Sequence, residues 1–255
     1  MPDEVITRRP GDGTLVIELN RPQARNAVNE NLARLVAAAL DELDEDASLQ
    51  VGIITGAGGT FCSGMDLKAF VRGERPEVPG RGFAGLVERA SRKPLIAAVE
   101  GYALAGGFEI VLACDLVVAG EGARFGLPEV KRSLVAAGGG LLRLPERIPY
   151  HAAMEIGLLG DMVTAGRMER WGLVNRLVPD GEALAEASRL AAALAGNGPL
   201  ALMATKQVLV EGRDWPMEDA FARQSLIADP VSASADAREG AVAFAEKRAP
   251  VWTGR

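Results

Sequence analysis

Three runs with little polar content constrain the fold more than any other feature: residues 51–55 (VGIIT), 94–100 (PLIAAVE) and 115–119 (DLVVA). Each has the length and the aliphatic, β-branched content of a buried strand. Helical patterns separate them. Asn29 caps an apolar stripe at Leu32, Leu35, Val36, Ala39, Leu40 and Leu43 ahead of the first run. Residues 106–113 read as a helix between the second and third. Buried strands alternating with helices predict an α/β fold with crossover connections.

At 255 residues the chain is long enough to bury a sizeable core. Residues 5–7 and 15–19 read as strands of a hairpin about the Gly11-Asp12-Gly13 turn. Residues 123–125 and 174–178 read as further short strands, and 152–159 as a helix. The acidic run Asp41, Glu42, Asp44, Glu45 and Asp46 reads as a solvated helix end. Residues 68–93, rich in Gly, Pro and charge, read as a mobile loop with a short helix at its end, the kind of loop that covers binding sites. From Glu182 onward the pattern is helical, over 182–195, 199–211, 217–228 and 235–247, with breaks at Gly196, Gly198-Pro199 and Trp215-Pro216. The expected division is a core over residues 1–195 and a helical region over 196–255.

Composition narrows the function. A net charge of −6 argues against nucleic acid or an anionic membrane surface as the main partner. No run has the length of a membrane span, and the N-terminus lacks the apolar stretch of a signal peptide. Two cysteines, Cys62 and Cys114, give neither a metal-ligand spacing nor a disulfide framework, which points to a reducing, cytoplasmic location. His151 is the single histidine, and nothing near it in sequence builds a Ser-His-Asp or Cys-His set. The glycine-rich stretch GAGGTFCSGMDL has neither GK[ST] nor GxGxxG, so both nucleotide motifs are rejected.

Two glycine-bearing turns each follow a buried strand and enter a helix: Ser63-Gly64-Met65-Asp66 and Ala105-Gly106-Gly107. Glycine lets a ligand approach the backbone closely. Two N–H groups from separate turns can hold an oxygen that becomes negative during a reaction, and a helix start adds partial positive charge. Glu109 lies near the second helix start, and Glu129 follows twenty positions later in FGLPE. Two carboxylates beside such a site can move protons or hold a water. Taken singly, these features are a turn, a core helix and two solvated glutamates. Sequence alone does not show that the turns meet.

The ordered set of motifs resembles the enoyl-CoA hydratase/isomerase, or crotonase, family over nearly the whole chain. LNRPQARNAV, GGTFCSGMDL, GYALAGGFEIVLACDLVVAGEGARFGLPEV, MVTAGRMERWGLVNRLVP and FAEKRAPVW carry the resemblance. It implies a spiral of ββα turns followed by C-terminal helices that build trimers, often paired into hexamers. It implies that the N–H groups of Met65 and Gly106 hold a thioester oxygen, and that Glu109 and Glu129 occupy the acid/base positions. It places CoA near Ala24, Arg25, Ala27, Ser63, Asp66 and Leu67. Lys68 and, across a subunit boundary, Phe244 and Lys247 would reach the nucleotide or its phosphates. No metal is implied, and no cofactor beyond the CoA carried by the substrate.

The implied reaction is reversible hydration of a 2-enoyl-CoA thioester, as in fatty acid β-oxidation. Isomerisation of a 3-enoyl to a 2-enoyl thioester is the closest alternative, with a carnitinyl-CoA dehydratase-like reaction beside it. A non-catalytic CoA-thioester binder fits less well with both glutamates intact. One segment departs from the family pattern: after Glu129 the chain reads KRSLVAAGGG, without the proline of G-x-x-P-G-x-G-G. That segment shapes the acyl pocket in relatives, so the departure bears on the acyl group.

Overall fold

A computed structural model describes residues 3–255. The chain opens with the hairpin of β1 (Val5–Gly11) and β2 (Thr14–Leu19), antiparallel, with Val5 opposite Leu19 and a register slip between Arg8 and Gly11. In α1 (Glu30–Glu45) the Asn29 side chain accepts the Leu32 N–H at 2.8 Å, satisfying one free donor of the first turn. After β3 (Val51–Gly56) come the short α2 (Leu67–Val71) and the two-residue strands β4 (Glu77–Val78) and β5 (Gly82–Phe83). The middle of the chain holds β6 (Leu95–Val99), β7 (Tyr102–Leu104), α3 (Gly106–Ala113), β8 (Leu116–Gly120) and β9 (Arg124–Gly126). Next are α4 (Gly140–Arg147), α5 (Tyr150–Leu159), β10 (Val163–Thr164), α6 (Ala165–Arg170) and β11 (Arg176–Val178). Four helices finish the chain: α7 (Ala183–Ala195), α8 (Pro199–Glu211), α9 (Met217–Ser232) and α10 (Ala235–Glu246).

The main sheet has the order β1-β2-β3-β6-β8-β11, parallel from β2 onward. The three apolar runs of the sequence are three of its four interior strands, β3, β6 and β8, so each needs cover on both faces. Alternation along them provides it. Ile54, Ala97 and Val99 face the side where α1 contributes Leu32, Val36, Leu40 and Leu43. Val51, Ile53, Ile96, Ala98 and Val118 face the other side, under Ala183, Ala187 and Ala191 of α7. Alanines at that spacing bring the helix close to the strands. Burying each large aliphatic side chain contributes about 1.5–3 kcal/mol.

A second, three-stranded sheet runs β10-β9-β7, with β7 and β9 parallel. Together with the main sheet it forms the turns of a spiral. Its strands β7 and β10 and the helices α4 and α6 are additional to the sequence reading, and the last strand starts at Arg176 rather than Val174. Pro145 lies inside α4, which masks its periodicity. The helix α9 likewise runs past residue 228, through Pro230, to Ser232.

The segment 68–93 differs from the expectation of a mobile loop ending in a helix. Its helix is at its start, residues 81–87 are buried, and no helix closes it. It docks on the acidic end of α1, which is therefore not simply solvated. The buried Arg81 guanidinium pairs with Asp41. Asp44 accepts from the Ser91 hydroxyl at 2.8 Å and the Arg92 N–H at 3.0 Å. The Lys93 ammonium caps α1 on the carbonyls of Leu43 (2.7 Å) and Asp46 (2.8 Å). Charges that read as surface decoration hold a loop in place.

Candidate active site

The two glycine turns meet because strand pairing puts them side by side. Phe61 and Cys62 run along residues 100–104: the Phe61 N–H donates to the Glu100 carbonyl at 2.8 Å and the Cys62 N–H to the Tyr102 carbonyl at 2.9 Å. The Leu104 N–H returns to the Cys62 carbonyl at 3.0 Å. The next residues of both segments are then forced together. Gly64 has φ of +96°, and a Cβ there would stand 2.8 Å from the Ala105 Cβ and 3.1 Å from the Gly106 nitrogen. Only glycine fits both the conformation and the gap. Ala105 itself lies at φ 52°, ψ −129°, a backbone state that costs a non-glycine residue about 1–3 kcal/mol.

Among the described residues, neither the Met65 nor the Gly106 N–H has a protein acceptor. Gly106 is the first residue of α3, so its N–H belongs to a helix start and carries part of the helix dipole. The Phe83 ring of the docked loop lies over this turn, 2.4 Å from where a Gly106 Cβ would be.

The N-terminal motif holds the first turn. The Val28 N–H donates to the Gly64 carbonyl at 2.8 Å, the Asp66 N–H to the Val28 carbonyl at 2.9 Å, and the Ser63 N–H to the Arg25 carbonyl at 3.1 Å. Buried Asn26 ties the motif down, donating to the carbonyls of Ala57 (2.9 Å) and Thr60 (2.6 Å) and accepting the Arg21 N–H (2.9 Å). Asp66 caps α2 through the N–H groups of Lys68 and Ala69 and pairs with Arg21 at 3.0 Å. Hydrogen bonding to these donors holds its carboxyl below the usual range, against an opposing effect of burial that is the largest single contribution. These contacts join Arg25, Ala27, Ser63, Asp66, Leu67 and Lys68, with Ala24 one residue before Arg25, to the segment carrying Met65. Phe244 and Lys247 stand apart: α10 packs on α9 and the C-terminal tail, and none of their described contacts reaches the two turns.

Both carboxylates come to the same place. Glu109, in the first turn of α3, is 4% exposed. Its Oε1 accepts the Gly140 N–H at 3.0 Å. A Cβ on Gly138 would stand 2.6 Å from Oε2, so the glycine cluster of KRSLVAAGGG packs directly on this carboxylate. Burial raises the Glu109 pKa, opposed by the N–H groups of Gly140 and Gly138 and by the charge of Arg143. Glu129 sits in the 3-10 turn Pro128–Arg132, and its Oε2 is buried with no partner among the described residues. Its carboxyl is pushed up to about 7, first by burial, then by the charge of Glu109; its own N–H and Arg132 oppose the rise. The two carboxylates feel each other, and burial raises both; Glu109 accepts from the Gly138 and Gly140 N–H groups, while the Oε2 of Glu129 has no partner among the described residues.

A cavity of about 370 Å³ opens beside Glu129, between the segment after β9 and the helices α4 and α5. Its wall includes Leu127, Leu141, Leu144, Ala153, Met154 and Leu158.

Sequence reasoning missed three contributors. Arg143 of α4 donates to the Val87 carbonyl of the docked loop and sets a half-buried positive charge near Glu109. Phe83 covers the second turn, and the pair α4–α5 supplies the cavity wall. A basic residue in the otherwise apolar start of α4 was the available signal for Arg143. Cys62 is fully buried and its thiol is pushed up to about 12, so it is no nucleophile at neutral pH. His151 is exposed at the start of α5, edge-on to Tyr150. Among the described residues no three His, Cys, Asp or Glu side chains group as metal ligands, and no helix is long and apolar enough to cross a membrane.

The spiral of sheets, the paired glycine turns and the trailing helices define a crotonase-fold protein. The sequence model of the enoyl-CoA hydratase/isomerase family matches residues 10–255, and the chain belongs to that family. It is 44% identical, over all of this chain and 97% of the relative, to enoyl-CoA hydratase EchA19 of Mycobacterium tuberculosis. It is 43% identical to a carnitinyl-CoA dehydratase of Salmonella typhi, covering 94% of this chain and 95% of that one. The crystal structure of an enoyl-CoA hydratase from Mycobacterium tuberculosis H37Rv superposes with a TM-score of 0.97 at 56% identity, covering 99% of this chain and 100% of the other.

Proposed function

We propose that the protein is a hydro-lyase that adds water reversibly across the double bond of a 2-enoyl-CoA thioester. The observation that carries this reading is the buried, unpartnered Glu129 Oε2 held within electrostatic reach of Glu109. A carboxyl so placed needs a polar partner, and a water gripped between the two glutamates supplies one. The N–H groups of Met65 and Gly106 polarise the thioester carbonyl and take the negative charge that develops as an enolate forms. Removing one such donor typically costs about 2.7–4 kcal/mol of transition-state stabilisation.

Glu109, whose charged form is favoured by two N–H donors and Arg143 against the larger upward effect of burial, takes a proton from the water as its oxygen bonds to Cβ. Glu129, its carboxyl pushed up to about 7 so that it can hold a proton close to neutrality, delivers that proton to Cα as the enolate collapses. One proton is gained and one lost, so exchange between the pair through solvent restores the starting state. Dehydration runs the same steps backwards, which covers a carnitinyl-CoA dehydratase-like direction. Isomerisation of a 3-enoyl thioester needs proton exchange at Cα and Cγ only, and the second carboxylate favours hydration.

The rim formed by Ala24, Arg25, Ala27, Ser63, Asp66, Leu67 and Lys68 is the proposed CoA path, with Arg25 and Lys68 exposed to meet phosphates. Phe244 and Lys247 join it from a neighbouring subunit of a trimer or of a pair of trimers. Exposed Leu209, Met217, Phe221 and Leu226 on α8 and α9 support a division at about residue 196 into core and oligomerisation region. Free, buried cysteines support a cytoplasmic location.

The test is hydration of 2-butenoyl-CoA in H₂¹⁸O with product mass as the readout. Label enters the 3-hydroxyacyl product in the wild type, and Glu109→Gln and Glu129→Gln each lower the rate by orders of magnitude with unchanged circular dichroism. Turnover near normal in either variant removes that glutamate from the mechanism, and isomerisation without label uptake refutes hydration.

A further inference from the structure

The acyl group is written in the cavity beside Glu129. Its wall is hydrocarbon apart from that carboxylate and the Tyr150 hydroxyl. Among the described residues Glu129 carries the only charge on it and Tyr150 the only aromatic ring. A quaternary ammonium in such a space would lose its hydration without an aromatic cage to replace it, and a second carboxylate or hydroxyl would be left without partners. An uncharged chain meets no such penalty. Because Glu129 is part of the wall, the cavity begins at the reacting carbons and leads away between α4 and α5.

Size sets the length. A methylene takes about the share of a water molecule, roughly 30 Å³, so a cavity of about 370 Å³ has room for a chain of about twelve carbons. We infer that this site selects thioesters with uncharged hydrocarbon tails of medium length, about eight to twelve carbons, and discriminates against short or cationic acyl groups. The gauge residues are Ala153 and Gly157, one turn apart on the face of α5 that looks into the cavity. A Cβ on Gly157 meets only the Leu141 Cδ2, at an ordinary 3.4 Å, so a larger side chain there is built without backbone conflict and fills the space the tail needs. The inference rests on the hydratase reading for the place of the thioester carbonyl.

Two measurements separate the inference from that reading. The first uses saturated butyryl-, octanoyl- and decanoyl-CoA in calorimetric titration, which needs no turnover. Each methylene moved from water into an apolar wall is worth about fourfold in affinity, and an open cavity returns part of it. Octanoyl- and decanoyl-CoA are therefore expected to bind at least tenfold more tightly than butyryl-CoA. The second uses kcat/KM for 2-butenoyl-, 2-octenoyl- and 2-decenoyl-CoA, and for 2-butenoyl-CoA bearing a trimethylammonium at C4. The order expected is medium chain above butenoyl, with the cationic thioester at least tenfold below butenoyl.

Gly157→Leu, which also gains helix propensity, is expected to lose at least tenfold on the medium chains and to stay within threefold on butenoyl. Ala153→Leu gives the same pattern from the adjacent turn. A flat dependence on chain length, a preference for the cationic thioester, or equal losses at every length in both variants overturns the inference. Absence of label uptake with every thioester, alongside chain-length-dependent binding, overturns the hydratase reading and leaves the acyl assignment standing.

Discussion

Replacing Glu129 with glutamine should stabilise the protein, and only on the alkaline side. The folded protein pushes this carboxyl from its ordinary 4.5 up to about 7, with burial the largest cause and the charge of Glu109 adding to it. A group whose folded pKa is raised contributes fully below its unfolded value and loses that contribution as pH climbs through the folded value. Glu129 therefore weakens the fold progressively from about pH 4.5 to about pH 7 and by a constant amount above. At about 1.36 kcal/mol per unit of pKa, the ceiling is about 3.4 kcal/mol. The side chain is only partly shielded at the mouth of the cavity, and solvent screening reduces the figure to about 1–2 kcal/mol. Glutamine has the shape of the protonated acid and stays neutral. Urea unfolding followed by circular dichroism, at one fixed protein concentration, should give equal stabilities for wild type and Glu129→Gln near pH 4.5 and an advantage of about 1–2 kcal/mol to the variant near pH 8.5. The comparison cancels every titrating group that does not interact with Glu129, and relief of its repulsion with Glu109 acts in the same alkaline direction. An advantage that does not vary with pH, or one that grows towards acid, would refute the reasoning.

Arg143→Met removes the positive charge that opposes the rise in the Glu109 pKa, so the acid limb of the hydration profile should move to higher pH, with larger losses at pH 6 than at pH 8. A uniform loss at all pH values would assign Arg143 to holding the loop through Val87 alone. Asn26→Ala forfeits the three hydrogen bonds of a buried side chain and a left-handed backbone position that suits asparagine, and should cost about 3 kcal/mol in urea unfolding. Gly138→Ala puts a methyl 2.6 Å from the Glu109 carboxylate and should lower kcat at least about tenfold (about 1.4 kcal/mol of barrier) with little change in the KM for CoA thioesters. Wild-type kcat would show that the carboxylate can be displaced freely.

Much of the fold was legible because the sheet is buried on both faces. Apolar runs with no alternation announced β3, β6 and β8, and the stripe on α1 announced their cover. The candidate site was legible in pieces: two turns and two glutamates, each with an ordinary explanation. What joins the turns is the pairing of Cys62 with Ala103, a contact between segments forty residues apart whose register neither segment specifies alone. Segment 68–93 misled for a related reason. Gly, Pro and charge describe a flexible loop locally, but its arginine and serine find their partners on α1, at Asp41 and Asp44. The cavity was hidden in amphipathic helices, where a residue facing a ligand has the same composition as one facing a core. Pro145 hid α4 further.

The pairing of Cys62 with Ala103 also decides which parts of this enzyme can change. The proposed donors at Met65 and Gly106 are main-chain atoms, so exchanging the Met65 side chain leaves its N–H in place, and the pair of N–H groups is inherited with the strand register as a unit. The cavity wall is made instead of side chains on α4 and α5, each replaceable singly. Variation in such a chain is channelled: single substitutions on α4 and α5 can redraw the cavity wall, whereas the proposed charge-stabilising centre tolerates no side chain at Gly64 or Gly106, and an insertion between residues 62 and 65 or between 103 and 106 should abolish turnover rather than retune it.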